Sequence, residues 1–169
     1  MTETRKIKVG FVGYGLRGRG VAGSVASLGT YQIVAVADSD PLARRKAAEN
    51  PALNGCGIYS DYREVVKMDE IEAVLVMVPQ YLHCEIAVEA LRAGKSVYCE
   101  KPMALTTGEC DKMIAAAEKT GRILMIGQQM RYHAHLNRMR DLVAAGEVGR
   151  PVMLWLREFR NPFPGTMTW

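Results

Sequence analysis

The chain has 169 residues, 49% of them hydrophobic and 24% charged, which is enough for one domain with a substantial core and excludes a disordered segment. Its formal charge of +4 is spread along the chain, and the densest run, Arg44-Arg45-Lys46, is too short for a nucleic-acid surface. Cys56, Cys84, Cys99 and Cys110 form no C-x-x-C pair and have no ligand spacing with His83, His133 or His135, so no metal site and no disulfide framework is expected.

In chain order, Ile7, Val9, Phe11 and Val12 predict a buried first strand. Gly13-Tyr14-Gly15-Leu16-Arg17-Gly18 follows it, a G-x-G-x-x-G loop of the kind that binds dinucleotides. The first glycine permits a tight turn, the second lets backbone approach a pyrophosphate, and the third lets a helix from about Gly18 to Leu28 pack closely. The alternative is a flexible strand-to-helix connection. What favours the dinucleotide is a second strand, Ile33 to Ala37, leading into Asp38 twenty residues after Gly18, where a carboxylate can accept hydrogen bonds from ribose hydroxyls. Asp38 also repels the extra phosphate of NADP, so NAD is the expected cofactor and NADP the less favoured one. Arg44-Arg45 could fold back toward a phosphate, or form the solvated face of a helix beginning after Pro41.

The same rhythm continues. A short strand at Gly57 to Tyr59 precedes a helix from about Tyr62 to Val66, and Ala73 to Val78 is an unbroken apolar run typical of a strand covered on both faces, ended by Pro79. Helices are expected at Leu82 to Ala93 and Thr107 to Lys119, closed by Gly94 and Gly121. Between them Val97-Tyr98-Cys99 runs into Glu100-Lys101-Pro102, where proline holds Lys101 in extended backbone at the carboxyl end of a strand. A strand at Ile123 to Ile126 and a helix from His135 to Ala145, stopped by Gly146, complete the pattern. Alternating strands and helices predict an α/β Rossmann fold, a doubly wound parallel sheet.

With the glycine loop, Asp38, Pro79-Gln80-Tyr81-Leu82-His83 and Glu100-Lys101-Pro102 in this order, the chain resembles the glucose-fructose oxidoreductase, inositol dehydrogenase and rhizopine-catabolism (Gfo/Idh/MocA) family. Ala87 to Lys95 and Ala104-Leu105-Thr106 extend the resemblance on either side of the lysine motif. It implies an NAD(P)-binding domain at 1–127, with 128–169 the connecting helix and first strand of an incomplete carboxyl-terminal substrate domain. It also implies a dehydrogenase acting on a sugar or cyclitol hydroxyl, with homo-oligomers expected for the full-length form. By the same resemblance Lys101 is the catalytic residue beside the nicotinamide, and Pro102 shapes the turn, frequently through a cis bond. An oxidised, positively charged nicotinamide would disfavour the ammonium form of Lys101 and suit it to proton transfer.

The cofactor-binding set implied is Gly13, Gly15, Leu16, Arg17, Gly18, Asp38, Pro79, Gln80, His83, Glu100, Lys101 and Arg131. Gln80 stands where the family more often has asparagine, and Ala134 where it commonly has proline. His83 either contacts the cofactor ribose or caps a helix at the surface, and Arg131 either lies near nicotinamide and substrate or forms a surface ion pair. Pro151 to Phe159 predicts the first strand of the substrate domain, with Arg160 to Pro164 a pocket-forming loop in it. The family's second motif is an aspartate followed four residues later by a histidine, and none of His83, His133 or His135 has that aspartate before it. The chain is therefore expected to be a fragment or to bind cofactor without efficient turnover. Two other functions remain open: an NAD-using glycosidase, or a non-catalytic nucleotide-binding module whose Leu154-Trp155-Leu156 edge docks on another chain. No signal peptide or membrane span is expected, and the cytoplasm is the expected location.

Overall fold

The computed structural model describes residues 5–157, which divide into two compact units between Gln128 and Gln129. The first unit is built on six parallel strands: β1 (Ile7–Val12), β2 (Tyr31–Ala37), β3 (Gly57–Tyr59), β4 (Ala73–Val76), β5 (Ser96–Cys99) and β6 (Leu124–Ile126). Their order across the sheet is β3-β2-β1-β4-β5-β6, the doubly wound Rossmann topology. Five helices connect them: α1 (Leu16–Ser27), α2 (Pro41–Ala48), α3 (Tyr62–Val66), α4 (His83–Arg92) and α5 (Thr107–Thr120).

Residue alternation explains the two-sided core. On β4, Val74 and Val76 face one side with Val65, Ile86, Leu91 and Met113, while Leu75 faces the other with Phe11, Ala22, Ala43 and Leu53. Gly10 on β1 keeps the first layer close, because a Cβ there would come within 2.4 Å of Val65 Cγ1. Buried Lys95 escapes the penalty of an isolated charge by donating from Nζ to the Met68 carbonyl at 2.6 Å.

The register aligns the strand ends that matter for function. Tyr59 pairs with Ala37, Ala37 with Val12, Val12 with Val76, Val76 with Cys99, and Cys99 with Ile126. The residues that follow each strand therefore emerge side by side along the carboxyl edge. Backbone bonds carry the alignment one step further: Gly13 N donates to Ala37 O at 2.8 Å, Met77 N to Val12 O at 2.7 Å, and Glu100 N to Val76 O at 3.0 Å.

Helix limits follow local chemistry. Asp40 caps α2 through Leu42 N at 2.9 Å, with Pro41 in the first turn. A capping box holds α5, Thr106 Oγ1 accepting from Glu109 N while Glu109 Oε2 accepts from Thr106 N, and Gly121 ends it at φ +64°. Helix α1 begins at Leu16, two residues before the expected start, and β4 stops at Val76 rather than Val78.

Among its described residues the second unit holds a 3-10 turn at Gln129–Tyr132 and α6 (Ala134–Ala144), with Gly146 at φ +74° beyond it. The strand expected from Pro151 does not form over 151–157, and Phe159 and the Arg160–Pro164 loop lie outside the described residues. Alternation of Val152, Leu154 and Leu156 supplies a strand pattern, but a strand needs a partner to satisfy its backbone, and none pairs with it among the described residues. None of the helices among the described residues is long and apolar enough to cross a membrane.

Burial of two thiols gives the fold an alkaline limit. It pushes Cys56 up to about 11, and burial followed by the nearby Glu100 carboxylate pushes Cys99 up to about 12, both from an ordinary value of 9.0. Through that window the folded chain binds more protons than the unfolded one, so stability falls as pH rises. Thiol-derived stabilisation is intact below about pH 9 and is lost progressively toward pH 11–12. Urea midpoints should therefore drop between about pH 8 and pH 10.5, and drop less in a Cys56→Ala, Cys99→Ala double variant. Identical slopes in the two proteins would remove the thiols from the account.

Candidate functional site

The glycine loop joins β1 to α1 at the point where the strand order reverses, the crevice in which ligands of open α/β sheets sit. Gly13 has φ +95°, and a Cβ on it would approach the Met77 carbonyl group to 2.6 Å. Gly18 packs helix against loop so tightly that a Cβ would meet Gly13 O at 2.2 Å. Around Gly15 the opposite holds, because nothing lies within 4 Å of where its Cβ would stand. Gly15 is also the N-cap of α1, with no side chain capping the helix and no acidic residue in its first turn. Exposed helix N–H groups beside an open backbone suit an anion, so the loop fits a pyrophosphate.

Asp38 stands next to this loop and is tied to it. Its Oδ2 accepts from Tyr14 N at 2.6 Å and its Oδ1 from Asp40 N at 2.8 Å. Buried Tyr14 is anchored in turn by Asn50, whose Nδ2 donates to the phenol oxygen at 2.7 Å. Arg44 folds back onto the same segment, donating from Nη1 to Asp38 O and Ser39 O at 2.8 and 2.9 Å, whereas Arg45 pairs with Glu49 on the helix surface. The two arginines thus divide the alternatives, with Arg45 at the solvated face and Arg44 bound to backbone carbonyls beside Asp38.

A cleft of about 390 Å³ runs along this end of the sheet, and its lining includes Gly13, Gly15, Asp38 and Pro79. Ser60, Asp61, Tyr62, Arg63, Tyr81 and Leu82 line it as well. Sequence reading missed them, and the signal available was their place just after β3 and β4. The Tyr62 hydroxyl lies 2.7 Å from Glu89 Oε2 and 2.9 Å from Glu85 Oε1, its one proton donated to one of the two carboxylates; burial first, and these carboxylates next, raise its pKa. The Arg63 guanidinium sits 4.6 Å from the Tyr62 ring centre. A wider depression of about 780 Å³ at the amino-terminal end of the strands is lined by Gln32 and charged residues, among which Arg5–Glu72 and Lys8–Glu70 neutralise each other. Nothing there converges on a ligand.

Beyond β5 the buried Glu100 carboxylate accepts from Arg17 Nε at 2.7 Å and from Lys101 N at 3.1 Å. This joins the glycine loop to the lysine segment, 83 residues away in the chain. Leu16 and Lys101 are exposed, and the Lys101–Pro102 peptide is cis. Gln80 opens an exposed 3-10 turn after Pro79. His83, expected either to cap a helix at the surface or to reach the ribose, is neither exposed nor a cap. It is 1% exposed, with Nδ1 2.7 Å from Pro102 O and Nε2 3.0 Å from Val78 O, so both ring nitrogens are engaged by backbone. Arg131 lies in the second unit, in the exposed 3-10 turn. No group of three or more metal-ligating side chains converges among the described residues.

The model for the oxidoreductase family with an NAD-binding Rossmann fold, Gfo/Idh/MocA, matches residues 7–128. Inositol 2-dehydrogenase of Salmonella typhimurium is 32% identical over 158 residues, 90% of this chain and 46% of the relative. The inositol 2-dehydrogenase/D-chiro-inositol 3-dehydrogenase of Lactiplantibacillus plantarum is 31% identical, covering 97% of this chain and 47% of its own. Among solved structures, the WlbA dehydrogenase of Bordetella pertussis in complex with NADH and UDP-GlcNAcA superposes with a TM-score of 0.80 at 29% identity, over 86% of this chain and 44% of that one. The chain spans less than half the length of these relatives.

Proposed function

The chain belongs to the Gfo/Idh/MocA oxidoreductase family, and we propose that it binds NAD across the carboxyl edge of its sheet and serves the oxidation of a sugar or cyclitol hydroxyl. The observation that carries this reading is the shared strand register, which brings the open glycine loop, Asp38 and the Glu100-Lys101-Pro102 segment out along one edge. The inositol dehydrogenases it resembles act on cyclitols, and the WlbA structure holds NADH with a nucleotide sugar, which supports the substrate class.

In this reading the α1 N-terminus and the backbone of Gly13, Gly15, Leu16, Arg17 and Gly18 hold the pyrophosphate. Asp38 keeps acceptor capacity beyond its two backbone bonds and takes the ribose hydroxyls of the adenosine half. Bound NAD supplies the hydride acceptor. Lys101, exposed at the end of β5, orients the reacting hydroxyl and takes its proton. Pro79, Gln80 and Glu100 shape the nicotinamide side. By the family resemblance, the segment 128–169 is the start of a substrate domain. The full-length form is a homo-oligomer in the cytoplasm, with no nucleic-acid partner.

Titration with NADH and NADPH tests the cofactor reading. Asp38 places a carboxylate where the additional phosphate of NADP would lie, and like charges at that range disfavour binding. NADH should bind at least about tenfold more tightly, a difference of about 1.4 kcal/mol, and Asp38→Ser should narrow the gap. Tighter binding of NADPH by the unaltered chain would overturn the preference, and silence toward both would overturn the function.

A further inference from the structure

We propose that His83 is a positioning residue for Lys101, acting on the lysine through the backbone without touching the dinucleotide. The inference rests on the function proposed above and deepens it. His83 is the first residue of α4 and is buried, and its ring lies between two loops that leave adjacent strands. Nδ1 meets the carbonyl of Pro102, the residue after Lys101, at 2.7 Å. Nε2 meets the carbonyl of Val78, just before the Pro79 turn, at 3.0 Å.

Carbonyl oxygens only accept, so the ring donates to one of them in either neutral tautomer and to both when protonated. A neutral ring therefore ties down one of the two carbonyls and packs against the other, and the protonated ring bonds to both loops. The far side of the lysine segment is held as well, because Glu100 Oε2 accepts from Lys101 N and Glu100 Oε1 pairs with Arg17. The Lys101 peptide is thus gripped on both flanks while its side chain stays exposed. A long, flexible amine gains directional precision only if its backbone is fixed, and small displacements of a proton-transfer group cost large factors in rate. Fixing the lysine backbone to the segment before Pro79 sets where the amine starts from.

Two measurements on this chain test the inference. With histidine labelled by nitrogen-15, a ring N–H of His83 protected from solvent exchange is expected, and its absence would overturn the clamp without any variant. Second, acetic anhydride labelling of lysines is followed by mass spectrometry with and without NADH, using exposed Lys46 and Lys119 as internal references. The unaltered chain should show roughly tenfold protection of Lys101 by NADH, in the range that burial against a ligand gives. His83→Leu, which keeps bulk but no donor, should lose most of that protection while NADH affinity changes by no more than about threefold. His83→Gln retains one donor and should recover at least half of the protection, and it decides the matter alone if the leucine variant does not fold. Protection in the variants equal to the parent overturns the positioning role. Loss of NADH affinity in step with protection overturns it too, since His83 would then act on binding as a whole. No NADH response in the parent overturns the proposed function and this inference together, an outcome separable from the other two.

Discussion

Replacing Lys101 by methionine should leave NADH affinity within about threefold and reduce turnover by roughly 10²–10⁴ in any form of this protein that oxidises a sugar or cyclitol. Methionine keeps most of the aliphatic length but cannot donate, accept or hold a charge. Lys101 is exposed and contributes nothing to the core, so the change has no route to the rate through stability. Its backbone N–H bond to Glu100 survives the substitution, which keeps the loop in place while the amine is removed. Arginine should fail almost as fully, because a guanidinium stays protonated and cannot take the hydroxyl proton. The informative quantity is the split: kcat falling with the NAD affinity unchanged identifies a group that acts on the reacting hydroxyl. A kcat within tenfold of the parent would remove Lys101 from the chemistry, and a loss confined to NADH binding would reassign it to cofactor retention.

Much of the fold could be read in the sequence because the pattern was local. Ile7–Val12, Gly57–Tyr59 and Tyr62–Val66 lie at the expected limits, since apolar runs bounded by turn residues and a capping aspartate leave little freedom. The apolar run Ala73 to Val78 continues past the last paired residue of β4, because Met77 N bonds across to Val12 O while the Val78 carbonyl is taken by His83. Helix α1 starts at Leu16 because the glycine loop turns straight into it, whereas the motif alone suggested a start at the third glycine.

The site divides in the same manner. Gly13, Gly15 and Asp38 follow from spacing and Pro79 from the family resemblance, and all four are found along one cleft. The Arg17–Glu100 pair joins residues 83 apart, and Asn50 reaches Tyr14 across 36, separations that no local motif encodes. The burial of His83 was hidden for a related reason. Helical periodicity says which face of α4 meets the sheet, but not which loops close over its first turn.

The glycine loop offers the sharpest separation of stability from binding, because two of its glycines have opposite surroundings. Gly13→Ala should lower the unfolding free energy by roughly 3–5 kcal/mol, combining a left-handed residue that disfavours a side chain with overpacking in the core. Its φ is +95°, and the new Cβ would press on the Met77 carbonyl carbon and oxygen at 2.6 Å and on Val78 N at 2.9 Å. These are backbone atoms held in place by the Met77 N to Val12 O bond, so relief requires β1 and β4 to separate where the sheet switches direction. For a chain of this size the melting midpoint should fall by about 10 °C. Gly15→Ala is the counterpart. At φ −64° and ψ −163° the backbone accepts alanine, and nothing within 4 Å resists the methyl group, so stability should stay within about 0.5 kcal/mol or rise slightly. Yet that methyl group would project into the open space beside the uncapped α1 N-terminus, where the proposed function puts the pyrophosphate, and NADH affinity should drop at least tenfold, a penalty of about 1.4 kcal/mol or more. Thermal melts and NADH titrations on the two variants decide it. If Gly15→Ala binds NADH as the parent does, the pyrophosphate does not lie against that backbone, and the proposed path of the cofactor along the sheet edge is wrong even though the fold stands.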